Sequence, residues 1–309
     1  MRIDGYDLTE VPDQFTISSG GVLTLDADGL LYSAAHKAAK LETAIRRAKT
    51  RIFELQFLTK CELVRAHLTA RGCFKAGRHL LQGIKPYQGN RKGQVKPPLL
   101  EPLREALAAP GVFQEHEGIE VYLHRDIEAD DAMMMDAYTI PGVICYSPDK
   151  DLQIVPCGLY DLETGRVDVI LDRYGWIRLD KSKASDKIIG HGTAFFWAQM
   201  LMGDRVDHVQ GLLTYQNKRC GVSAAWRVLA PIRGENNAAN AVLDGYRAID
   251  QNPLPEACAL WLLRAYHDTA EGYIWSLDLS PENRAFVQDC YNRKYRAEPE
   301  EVREDGDEF

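Results

Sequence analysis

The sequence predicts an α/β fold, a mostly parallel central sheet with helices on its faces, followed by a helical C-terminal region. Three observations predict it. Short apolar runs of strand length (Val22 to Leu25, Leu63 to Leu68, Glu120 to Leu123, Val143 to Tyr146) alternate with stretches of helical composition. Carboxylates stand just past several of these runs: Asp26 after the first, Glu128, Asp130 and Asp131 after the third, Asp149 and Asp151 after the fourth. In open α/β sheets the carboxyl ends of strands are where ligands bind. Beyond about residue 186 the pattern becomes helical, with AFFWAQMLM ending at Gly203-Asp204 and with helical stretches near Ala238 to Ile249 and Glu256 to His267.

Taken in order, residues 1 to 20 read as an irregular arm, and their Asp4, Asp7, Glu10 and Asp13 argue against a signal or transit peptide. Leu30 to Thr59 is rich in Ala, Leu, Lys, Arg and Glu without Pro or Gly, and reads as helix. After the second strand, eight Lys and Arg side chains from Arg65 to Lys96 occur with no acidic residue, interleaved with Phe74, Tyr87 and several Gly and Pro. That composition predicts a mobile, partly helical loop over the sheet. Alternating cations and aromatics also suit a channel for single-stranded nucleic acid, where bases stack and phosphates meet Lys and Arg. Leu99 to Ala109 follows as a short helix, and Glu163-Thr164-Gly165 as the turn of a hairpin. Met133 to Met135 read as core filler, Trp197 and Trp226 as packed side chains, and Ser280-Pro281 as a helix start with Ser as cap.

Composition sets the limits. A chain of 309 residues, 45% hydrophobic, is long enough for one large or two modest domains with a sizeable core. No run approaches the roughly 20 apolar residues of a membrane span. Seven scattered cysteines without a CxxC pair predict a reduced, cytoplasmic protein without structural zinc. The net charge of −8 is unevenly spread: the segment from Glu298 to Phe309 is strongly acidic, whereas the stretch from Arg65 to Lys96 is basic. A local basic stretch beside acidic strand ends is a sharper statement than the net charge.

Any single carboxylate here has a plain reading: Asp130 and Asp131 favour a helix N-terminus, and Asp149 caps a turn. Several converging carboxylates without basic partners need protons or cations. Oxygen-only ligands favour Mg²⁺ or Mn²⁺ over zinc, and two such ions a few ångströms apart are the arrangement used for in-line displacement at phosphorus.

The motifs LTLDADGLLY, PYQGNR, EADD, SPDKDL and MGDRVDHVQGL, in this order and spacing, resemble the flap endonuclease and 5′-to-3′ exonuclease family, most of all its short phage-type members, from about residue 22 to 225. The resemblance implies a 5′-nuclease (PIN-like) fold whose metal ligands are Asp26, Glu128, Asp130, Asp131, Asp149, Asp151, Asp204 and Asp207. It implies an arch over about residues 72–98 through which a 5′ end threads, with Arg78, Lys85, Tyr87 and Arg91 serving catalysis and Lys75 and Lys92 gripping the strand. Residues from Gly203 to about Leu229 resemble the family's helix-three-turn-helix element, which holds duplex backbone with the help of a monovalent ion such as K⁺; Lys218, Arg219 and Gly221 are its candidate phosphate contacts. The expected substrates are DNA with 5′ ends or flaps and RNA in hybrids.

Three departures accompany the match. Gln88 stands where the family carries lysine, Ala70-Arg71-Gly72-Cys73 lacks the acid usual after the second strand, and LLTYQNKRCG replaces a compact Gly-rich turn. The expected division is an arm (1–20), a metal-dependent nuclease domain (21–186), a helical duplex-binding region (187–297) and an acidic disordered tail (298–309). Two alternatives are a catalytically weak branched-DNA-binding protein of the same fold and a haloacid-dehalogenase-type phosphatase. In the phosphatase, Asp26 would be the nucleophile and Asp28 the acid and base.

Overall fold

The computed structural model describes residues 2–3, 6–7, 21–147, 157–182 and 185–298. Asp149 and Asp151, most of the arm, and the chain after Glu298 lie outside the described residues. Strands β1 (Arg2–Ile3) and β2 (Tyr6–Asp7) pair with each other. In β3 (Gly21–Asp26), Leu23 and Leu25 are buried on one side of the sheet and Thr24 on the other. Period-2 alternation with both faces covered is what a central strand requires.

Around β3 run β4 (Cys61–Thr69), β5 (Ile119–His124), β6 (Ile144–Tyr146), β7 (Gly158–Asp161) and β8 (Arg166–Val169). They form a six-stranded sheet in the order β5-β4-β3-β6-β7-β8. All pairs are parallel except the terminal hairpin β7–β8, which turns at the expected Glu163-Thr164-Gly165. The chain steps outward from β3 to β5 and then returns to place β6 on the other side of β3, so the switch point of the sheet lies between β3 and β6.

On one face, α1 (Ala27–Ala35), α2 (Leu41–Thr59) and α3 (Leu100–Ala108) close a core of Leu23, Leu25, Leu31, Ile52, Leu55 and Leu103. The single helix expected from Leu30 to Thr59 is divided at residues 36–40. Arg47 of α2 donates to Ala34 O and His36 O, satisfying the end of α1 and letting α2 return over the same sheet face.

The other face carries α4 (Ala129–Thr139) and then the helical region: α5 (Thr193–Met202), α6 (Val222–Leu229), α7 (Glu235–Ala248), α8 (Leu254–Leu260), α9 (Ala270–Ser276) and α10 (Pro281–Asn292). Met133, Met134, Phe195, Phe196, Trp197 and Tyr246 lie in its core. Ser280 caps α10 through its Oγ, which accepts from Asn283 N at 3.2 Å. The helix expected to reach His267 stops at Leu260, because Asp268 accepts from Trp261 Nε1 and Arg264 N and ties the following chain into a loop.

Strands β9 (Trp176–Asp180) and β10 (Lys187–His191) form a hairpin whose turn contains residue 186. Between α5 and α6 lies β11 (Thr214–Tyr215) paired with β12 (Lys218–Arg219). This hairpin turns through Gln216 and Asn217, both at positive φ. The longer segment expected in place of a compact Gly-rich turn is therefore a loop plus a small hairpin. All seven cysteines are free and buried, and among the described residues no helix is long and apolar enough to cross a membrane.

A buried ion pair behind the sheet edge is also hydrogen-bonded to the helical region. Arg78, 3% exposed, donates twice to the fully buried Asp131 of α4, both at 2.7 Å, and its Nη2 also donates to Trp261 O at 2.6 Å. Leu263 N donates to Asp131 Oδ1 at 3.0 Å from the helical side. Removing one partner leaves the other charge buried and unpaired. The expected outcome for Arg78→Met is a loss of about 3–5 kcal/mol of unfolding free energy in urea titration, with Asp131→Asn comparable.

Candidate active site

At the carboxyl edge of the sheet, Asp26 is the last residue of β3 and the N-cap of α1, accepting from Asp28 N at 2.9 Å. Ser147, just past β6, donates to Asp26 Oδ2 at 3.3 Å, so the two strands of the switch point meet at this carboxylate. Asp28 is in the first turn of α1. Its oxygens accept from Thr69 N, at the end of β4, and from Arg104 of α3 at 2.8 Å.

Glu128, Asp130 and Asp131 open α4, and their roles diverge. Asp131 turns inward to Arg78. Glu128 is buried and pairs with Lys75 at 3.0 Å and Arg78 at 3.3 Å while accepting from Tyr87 OH at 2.7 Å. Burial pushes its carboxyl up, but the charges of Arg78 and Lys75 and the Tyr87 hydrogen bond outweigh burial and hold it below the usual range. Asp130 has less support, the more distant charge of Arg78 and a hydrogen bond from Asp131 N at 2.9 Å. Burial, then the negative charges of Glu128 and Asp131, push its carboxyl well above the usual carboxylate range.

The fourth contribution comes from the loop after α5. Gly203 and Gly211 have φ of +74° and +70°, and a Cβ on either would lie 2.4–2.5 Å from backbone of the other end of the loop, so only glycine permits the fold-back. Asp204 sits inside this loop, accepting from Val206 N at 2.6 Å and Gln199 Nε2 at 3.0 Å. The turn it holds presents Asp207, whose carboxyl is raised by burial first and by Glu128, against the opposing charge of Arg91.

The basic stretch packs onto that loop. It contains two 3₁₀ turns, Lys75–Leu80 and Gly89–Arg91. Gln88 N donates to Asp207 O, Asn90 Nδ2 to Arg205 O, and Arg91 pairs with Asp207 at 2.7 Å. The Gln88 side chain, in the position of the expected lysine, donates to Asp207 at 3.0 Å and Glu128 at 3.3 Å and accepts from Lys75 Nζ.

These groups surround one open cavity of about 500 Å³, lined by Asp26, Asp28, Thr69, Gln88, Arg91, Glu128, Asp130 and Asp207 among others. Of the eight carboxylates named from sequence, Asp26, Glu128, Asp130 and Asp207 line it. Asp131 and Asp204 lie beneath it as anchors, and Asp149 and Asp151 fall outside the described residues. Of the arch side chains, Arg91 lines the cavity and Tyr87 and Lys75 reach it through Glu128. Arg78 is buried behind it, and Lys85 borders a separate small cleft with Leu81, Pro255 and Glu256. Lys92 is exposed beside Arg91, Lys218 and Arg219 are exposed on β12, and Gly221 caps α6.

Sequence reasoning left Thr69 and Arg104 unassigned. Neither sits in a motif, and only the packing of α1 against β4 and α3 brings them to Asp28.

Among the described residues no three His, Cys, Asp or Glu side chains form a ready-made metal cage. Zinc prefers such a closed site. Mg²⁺ and Mn²⁺ suit an open carboxylate rim, since Mg²⁺ usually keeps several waters and takes one or two protein carboxylates. The donor set fits them: hard oxygen ligands, of which Asp130 and Asp207 are raised by burial first and by neighbouring acids second.

No family model matches the chain, and no curated protein is significantly similar to it. Solved structures with a related arrangement include a bacteriophage T5 protein co-crystallised with metal ions (14% identity, TM-score 0.49, 88% of this chain and 98% of that chain). A second is the bacteriophage T5 5′-exonuclease with bound zinc (15%, 0.44, 88% and 98%). A third is the bacteriophage T5 flap endonuclease with DNA and metal ions (14%, 0.42, 87% and 99%).

Raised carboxyls favour the folded state when protonated and oppose it as pH rises through their shifted values. Asp130→Asn removes that opposition: its Tm is expected to exceed that of the parent by a few degrees at pH 8, with the difference shrinking as the pH falls towards 5. Thermal melts at both pH values check this.

Proposed function

We propose that this protein is a divalent-metal-dependent phosphodiester hydrolase acting on nucleic acid near 5′ ends, a structure-specific 5′ nuclease. The observation that carries the reading is the convergence of Asp26, Asp28, Glu128, Asp130 and Asp207 on one open cavity at the switch point of the sheet, with Arg91 and the basic stretch along its rim. The motif resemblance of the sequence supports the same chemistry.

Asp26, Glu128, Asp130 and Asp207 would hold Mg²⁺ or Mn²⁺. Divalent ions bound there supply a lowered pKa for the attacking water and stabilise charge on the leaving 3′ oxygen. The protein's own groups do the rest. Tyr87 and Lys75 orient Glu128 through a hydrogen bond and an ion pair. Asp204 orients the turn carrying Asp207. Arg91, 43% exposed in its side chain, is placed to exchange its carboxylate for a phosphate oxygen, a charge-assisted bond of similar strength. Gln88 bridges Glu128 and Asp207 as a neutral donor, so the positive charge next to them comes from Lys75 and Arg78 at Glu128 and from Arg91 at Asp207. Exposed Lys92, Lys218 and Arg219 give phosphate contacts that position the strand without reading sequence. Products would carry a 5′-phosphate and a 3′-hydroxyl.

The phosphatase alternative needs Asp28 free to exchange protons. Its bonds to Arg104 and Thr69 N oppose that.

The test is a 5′-flapped duplex labelled at either end, with Mg²⁺ or Mn²⁺. Expected is cutting near the 5′ junction that chelator abolishes and that Asp130→Asn and Asp26→Asn reduce at least about 100-fold, as for loss of a principal electrostatic contact. Tight, metal-independent flap binding with no cleavage would instead make it a branched-DNA-binding protein. Hydrolysis of p-nitrophenyl phosphate alone would favour the phosphatase.

A further inference from the structure

Another carboxylate of α4, Asp136, takes no part in the chemistry above. It is 5% exposed, on the helix side that faces the sheet. Its Oδ2 accepts from Thr24 Oγ1 of β3 at 3.0 Å and from His67 Nε2 of β4 at 2.9 Å, and it lies 3.0 Å from Arg65 Nε in an ion pair. His67 is 2% exposed. Its other ring nitrogen, Nδ1, is 2.9 Å from His124 Nε2 on β5.

The carboxylate sets the proton positions along this chain. His67 Nε2–H donates to Asp136, which leaves Nδ1 as acceptor for His124 Nε2–H. Burial, then the neighbouring His67, lowers His124 to about 4 and keeps it neutral, in keeping with that order of donors. The chain thus runs from β5 through β4 to α4, and Thr24 adds β3.

Further along β4, Thr69 takes hold of the start of the same helix. Its Oγ1 accepts from Ala129 N at 3.0 Å while its own N–H donates to Asp28. Seven residues separate Ala129 from Asp136, about two helical turns. So β4 is bonded to α4 at two heights, roughly 10 Å apart along the axis.

The packing explains why such bonds are needed. Against the core α4 presents Ala132, Met133 and Met134. Methionine fills irregular space and tolerates displacement, so this contact alone specifies the height and rotation of the helix poorly. Directional bonds to a buried carboxylate admit one placement.

We infer that Thr24, His67, His124 and Asp136 form a positioning network that fixes α4 over the sheet, and with it the spacing of Glu128 and Asp130 from Asp26 for divalent-ion binding. This rests on the metal-dependent reading proposed above. The four residues touch neither substrate nor ion; they act through the helix.

The test measures Mn²⁺ binding to the full chain by electron paramagnetic resonance of free Mn²⁺, beside flap cleavage and thermal melting. His67→Leu removes the donor to Asp136, Asp136→Asn removes the charge, and His67→Gln keeps a donor at the Nε2 position. Losing outer hydrogen bonds to a metal site typically weakens it 10–100-fold, so His67→Leu and Asp136→Asn should raise the Mn²⁺ Kd about tenfold or more. The kcat should fall and the KM for the flap should hold. His67→Gln should restore Mn²⁺ affinity to within about threefold of the parent.

If His67→Leu does not fold, His124→Leu at the half-buried end of the chain serves instead, with a smaller rise in Kd expected. Folded His67→Leu and Asp136→Asn proteins that bind Mn²⁺ like the parent would overturn the inference. So would equal losses in His67→Gln and His67→Leu, which would reduce the network to packing. A parent protein that binds no Mn²⁺ would bring down the functional reading first, and this inference with it.

Discussion

The buried pair between Arg78 and Asp131 is the constraint on which the rest of the arrangement depends. An arginine and an aspartate taken out of water need each other and need their remaining hydrogen bonds satisfied. Here the partners come from three places: the basic stretch, the first turn of α4, and the chain after α8, through Trp261 O and Leu263 N. Satisfying the pair therefore draws the basic stretch, the sheet and the helical region to one point. That point lies directly behind the cavity.

The same pair sorts the acids of α4. Asp131 is neutralised inside the protein, Glu128 is shared between Arg78, Lys75 and Tyr87, and Asp130 faces the cavity with its carboxyl pushed up by burial and by its acidic neighbours. Three carboxylates within four residues thus acquire three environments from their surroundings: a buried ion pair, a shared set of donors and the cavity wall. Asp207 lines the same cavity from across it, paired with Arg91, on a turn that only Gly203 and Gly211 allow. Carboxyls raised in this way cost the fold stability at neutral pH.

The legible part of this arrangement was local. Strand runs bounded by acids gave the β3 and β5 edges, EADD gave the start of α4, and the interrupted basic stretch gave the rim of the cavity. Partners distant in sequence were not legible, because nothing near Asp28 points to Arg104 and nothing near Asp136 points to His67. Lys85 and Arg91 were among the arch cations expected to serve catalysis. Contact with Glu128 falls instead to Lys75, whose backbone at φ +53° belongs to a kinked turn that composition does not reveal. The division of Leu30 to Thr59 into two helices was equally hidden, since the break satisfies tertiary packing and contains neither Pro nor Gly.

The most direct test of the central claim is anomalous diffraction from crystals of the full chain grown with Mn²⁺. The account predicts anomalous density inside the cavity, within coordination distance of Asp130 and at least one of Asp26, Glu128 and Asp207, and its loss in Asp130→Asn crystals. Ordered Mn²⁺ found only elsewhere on the molecule, with these four carboxylates contacting water alone, would contradict it.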